Sequence, residues 1–108
     1  MELIQVVEHL NHATSRLSKA TKEVFKLAKE RAEAERDYRL ALSKEIVRLR
    51  EQNMPATMIP DTARGNVAEL KFKRDLAQEM HRSAMQSISA LEVEVQAWQS
   101  ILRNLEEF

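Results

Sequence analysis

Six cations bracket the only cluster of helix breakers in the chain: Arg48 and Arg50 before it, then Arg64, Lys71, Lys73 and Arg74 after it. Set against Glu51, Asp61 and Glu69, they give residues 48–74 a net charge of +3. A basic stretch of this kind can neutralise nucleic-acid phosphates, each contact appearing as salt-dependent affinity. It can equally dock an acidic protein. The aromatic interleaving of single-strand binders is missing, since Phe72 is the only aromatic nearby. At the other extreme, residues 1–12 and 92–108 hold Glu2, Glu8, Glu92, Glu94, Glu106 and Glu107 against Arg103, a net of −5. The chain as a whole is neutral, with 17 basic and 17 acidic residues, so charge arguments are regional.

Metal and catalytic chemistry find little to work with. His9 and His12 share a helix face, but no third nitrogen or sulfur ligand accompanies them. The Glu-x-x-His spacing of helical di-iron sites does not occur. Nothing resembles a phosphate-binding loop, a nucleophile elbow or a zinc motif, so neither an enzyme nor a cofactor is expected. With 0 cysteines there is no disulfide framework, which suits a reducing cytoplasm. The start, Met1-Glu2-Leu3, lacks the basic region and apolar core of a signal peptide. No apolar run approaches the roughly 20 residues of a membrane span. A membrane partner is therefore not expected.

The elements that must position these side chains are helices. One Gly and two Pro in 108 residues cannot supply the turns of a sheet protein. Heptad positions Leu3, Val6, Leu10, Ala13, Leu17, Ala20, Val24, Leu27, Arg31, Ala34, Tyr38 and Ala41 are apolar or aromatic except Arg31. A second seam runs Val67, Leu70, Arg74, Ala77, His81, Ala84, Ile88, Leu91, Val95, Trp98, Leu102 and Leu105, broken only by Arg74 and His81. The expected fold is all-α: a single antiparallel helical hairpin with helix 1 at about 2–52, an elbow at 53–65 and helix 2 at about 66–106. Folding about residue 57 brings Arg31 level with His81, and Glu35, Asp75 and Glu79 within reach. Arg31, Arg74 and His81 then read as a register-setting polar layer, because a seam of Ala and Leu leaves little room for a pocket.

A narrow hairpin cannot cover the apolar residues that lie outside its seams. These are Ile4, Val7, Phe25, Ala28, Ala32, Leu42, Ile46 and Leu49 on the first helix, and Phe72, Leu76, Met80, Ile101 and Phe108 on the second. Each large side chain gains roughly 1.5–3 kcal/mol when fully buried. Self-association, most simply a dimer forming a four-helix bundle, would bury them, with Phe25, Leu42, Ile46, Leu49, Phe72, Leu76 and Met80 as the contact residues. The alternative is that the hairpin curls and the rows thicken its own core. In the elbow, Thr57 is expected to cap a short helix reaching about Arg64, with Gly65 as its left-handed stop. Asn66 and Glu69 have capping-box spacing for the second long helix. The order of short helix, corner and long helix is that of a helix-turn-helix, but no third helix braces it, so a structural elbow is expected.

Two strings carry a resemblance. Residues 37–50, DYRLALSKEIVRLR, and residues 56–71, ATMIPDTARGNVAELK, resemble small helical proteins encoded by phages and prophages of Gram-positive bacteria. The resemblance covers about residues 28–105. It implies a cytoplasmic accessory protein of the early-gene region, near recombination and single-strand-binding functions, that meets a host or phage protein or nucleic acid. It transfers no catalytic residue. The size and hairpin shape are also similar to the small secreted helical hairpins of type VII systems. Their Trp-x-Gly bend is missing here.

Overall fold

In the computed structural model, residues 2–107 are described; Phe108 of the outer apolar row lies outside them. The chain is an all-α helical hairpin: α1 spans Leu3–Glu51, α2 Ile59–Asn66 and α3 Ala68–Glu106, with no strand among the described residues. An interior free of Gly and Pro lets α1 run for 49 residues without a break. The long helices pack antiparallel through two compact units, Met1–Lys26 with Arg82–Phe108, and Leu27–His81.

In the first unit, Val6 and Ala13 are fully buried, and Leu10, Leu17 and Val24 are half-buried. Opposite them α3 presents Ile88, Leu91, Val95, Trp98 and Leu102, all half-buried. The pairing is fixed by cross-helix contacts. The His9 ring stacks on Trp98 at 4.5 Å between centroids, and Arg16 pairs with Glu94 at 3.1 Å.

In the second unit, α1 buries Leu27, Tyr38 and Leu49. The α2 helix turns Ile59 and Ala63, one helical turn apart, onto Leu49, and half-buried Leu42, Ile46 and Met54 complete the cluster. This corrects the expectation for Leu49, which the short elbow helix covers down to 2 % exposure, while Leu42 and Ile46 stay half-buried beside it.

The helix ends also differ from expectation. Asn53, at φ 63°, is the left-handed residue that stops α1. Its N–H donates to Arg50 O at 3.0 Å and Met54 N–H to Leu49 O at 3.2 Å, the paired bonds of a Schellman motif, with Met54 packed on Leu49. Gly65 does not stop α2; it is helical, and Val67 (φ −111°, ψ 23°) ends the helix. Thr57 does not cap α2 either. Met58 holds that place without a side-chain bond, and Pro60 sits in the first turn, where its missing N–H costs nothing. Asn66 closes α2 instead of capping α3, so the expected capping box with Glu69 does not form.

Candidate interaction surface and basic elbow

The basic elbow is largely paired internally. Arg48 donates its guanidinium to Glu45. Arg64 reaches Asp61 at 3.4 Å, and Lys71 reaches Asp75 at 3.0 Å. Arg74 is the most enclosed of the six: it pairs with Asp75 at 2.9 Å, lies 3.7 Å from Glu35 and stacks over the Tyr38 ring at 4.3 Å. That distance is within cation–π range. Of the six, Arg50 and Lys73 form no ion pair among the described residues.

The electrostatics follow from these contacts. The hydrogen bonds from Arg48 and then Asn66 hold the Glu45 carboxyl below its ordinary range. The bonds from Lys71 and then Arg74 do the same for Asp75. The Glu45 carboxylate in turn raises the Arg48 guanidinium further above neutrality. Glu35, Glu45 and Asp75, which answer Arg74, Arg48 and Lys71, all lie outside residues 48–74. A charge count over that stretch therefore overstates the cation available to phosphate.

The polar seam residues meet largely as their spacing predicts. Arg31 Nη1 lies 3.3 Å from His81 Nδ1. Arg74, one layer along, stands between Glu35 and Tyr38. Beside the seam, an open cleft of about 490 Å³ lies among Ala28, Arg31, Ala32, Glu35, Gln78 and His81. One Glu35 oxygen, Oε2, is buried without a hydrogen bond, although Arg74 stands beside it.

The proposed contact residues divide into two groups. Leu49 belongs to the chain's own core, and Leu42 and Ile46 pack half-buried against it. Phe25 is 74 % exposed, and Phe72, Leu76 and Met80 are 59 %, 48 % and 47 % exposed. Further exposed apolar side chains, Leu40, Val47, Met58, Met85 and Val93, lie off both heptad seams, where a search for rows does not find them. Among the described residues no group of three His, Cys, Asp or Glu side chains is placed to hold a metal ion, and no helix is long and apolar enough to cross a membrane. Compared with known protein families, curated proteins and solved structures, the chain matches none.

Proposed function

We propose that this chain is a non-enzymatic accessory protein of a phage or prophage, acting in the host cytoplasm as an oligomeric helical interaction module. The observation that carries the reading is apolar surface that the hairpin leaves open. The first unit exposes Phe25, and the second exposes Phe72, Leu76 and Met80. In water such side chains favour a partner, either a second copy or a host or phage protein. The phage origin rests on the resemblance of residues 37–50 and 56–71 alone. Sedimentation equilibrium tests the oligomer: a concentration-dependent dimer is expected, weakened by Phe72→Ser with Leu76→Ser. A monomer throughout the tens of micromolar range would remove it.

A second reading, a nucleic-acid-binding factor of replication or recombination, has Arg50 and Lys73 in its favour as unpaired cations. It is the weaker reading, because Arg48, Arg64, Lys71 and Arg74 are committed to carboxylates. Titrating labelled single- and double-stranded DNA at about 50 mM salt, where phosphate contacts are strongest, separates the two. Binding that falls steeply with salt and is lost in Arg50→Ala with Lys73→Ala would favour the second.

A further inference from the structure

The cleft between α1 and α3 in the second unit has a use that self-association does not require. Its apolar floor is Ala28 and Ala32, one turn apart on α1. Its polar wall is Arg31 with Gln78 and His81 of α3. Glu35 also lines it: Arg39 donates to Oε1, while Oε2 has no hydrogen bond and lies 3.7 Å from Arg74. Arg31, one turn before Glu35, is in contact instead with an imidazole, at 3.3 Å. A guanidinium only donates, so His81 Nδ1 is the accepting atom of this contact. Arg31 uses one N–H on His81 and keeps the rest of a planar fork, the geometry that grips two oxygens of one anion. The cleft is open to solvent, with a volume of about 490 Å³.

We infer that this cleft is an oxyanion site, in which the Arg31 fork, with Gln78 and His81 beside it, holds a carboxylate or phosphate whose short apolar stem lies on Ala28 and Ala32. The same oxygens can arrive on a free small anion or on an acidic side chain of a partner helix. The chemistry is common to both, and the source is what a titration resolves.

The test is an NMR titration of the full chain, following the Arg side-chain Nε–H and His ring signals at constant ionic strength. Inorganic phosphate, butyrate and a helical peptide bearing a single glutamate are added in separate arms. Saturable shifts centred on Arg31 and His81 are expected, at millimolar concentration for the free anions. Arg31→Gln should weaken binding more than tenfold, and Arg31→Lys, which keeps the charge and the fold but loses the fork, should weaken it severalfold. Arg36→Gln, whose residue pairs with Asp37, should leave it unchanged. Tighter binding of the peptide than of butyrate would assign the oxyanion to a partner's side chain; the reverse order would assign it to a free ligand. Shifts spread evenly over all arginines, no saturation in any arm, or saturation that survives Arg31→Gln would each overturn the site.

Discussion

The Asn66 side-chain amide donates to Glu45 Oε1 across 2.7 Å, although 21 residues separate them along the chain. The bond ties the last residue of α2 to the middle of α1's final stretch, at the carboxylate that also takes Arg48. It holds the elbow helix against α1 from its far end, while Ile59 and Ala63 hold it by burial. A polar clasp and an apolar contact thus act on the same short element.

Acid should loosen that clasp. Glu45 and Asp75 both titrate below their ordinary values in the folded chain. A depressed carboxylate stabilises the fold above its unfolded value, and that contribution is lost as pH falls through the folded one. Thermal melts between pH 7 and pH 2.5 should therefore show Tm holding steady and then dropping below about pH 4, where carboxylates protonate. Glu45→Gln with Asp75→Asn should start lower at pH 7 and drop less. An unchanged acid slope in that variant would show that these two groups do not carry it.

Two turn residues should respond in opposite senses to the loss or gain of a Cβ branch. Gly65 is helical, and a Cβ built there meets nothing within 4 Å. Gly65→Ala should then stabilise by about 0.5–1 kcal/mol, since glycine gives up more backbone freedom in a helix than alanine does. Urea unfolding followed by circular dichroism would read this as a higher midpoint at constant slope.

Asn53 is the contrasting case, because its φ of 63° disfavours a branched side chain. Asn53→Val should destabilise by about 1–2 kcal/mol, as a β-branched side chain crowds the backbone in the left-handed region that Asn tolerates. Asn53→Gly should be neutral or slightly stabilising. Equal losses for Val and Gly would mean that the Asn side chain, rather than the backbone conformation, ends α1.

The hairpin itself was legible because heptads report burial directly. Nearly every seam position is buried or half-buried, and the exceptions, Leu3, Arg31 and Leu105, lie near the chain's ends or at the polar layer. The elbow was harder to read. Gly65 and Asn53 are both residues that tolerate positive φ, and Asn53 takes it where the backbone bonds to Arg50 and Leu49 close α1. Leu42, Ile46 and Leu49 read as surplus because an eight-residue helix leaves too short a pattern to show which face it covers. The charge of residues 48–74 misled for a related reason. Fold-back and helical spacing bring in Glu35, Glu45 and Asp75, which a linear count omits.

The burial of Leu49 makes it the residue whose truncation should cost most in the elbow. It sits at 2 % exposure against Ile59 and Ala63. Leu49→Ala should destabilise by about 2–4 kcal/mol, the transfer loss plus the cavity left behind. Amide exchange should quicken first in residues 59–66, whose apolar hold on α1 is this side chain. Exchange that accelerates evenly along all three helices would show that α2 does not open on its own.

Arg74 was expected both as a phosphate ligand and as a seam residue, and its contacts favour the second role. Its guanidinium carbon stands 4.3 Å from the Tyr38 ring centre, with Asp75 at 2.9 Å and Glu35 at 3.7 Å. A cation over a buried ring should be coupled to it by at least about 0.5–1 kcal/mol. A double-mutant cycle of Arg74→Lys and Tyr38→Leu measures that coupling apart from the packing each change also disturbs. Arg74→Lys alone should destabilise, because a lysine keeps the charge but not the stacking plane or the fork. If the two substitutions add without interaction, the stack contributes nothing, and Arg74 is held by its carboxylates alone.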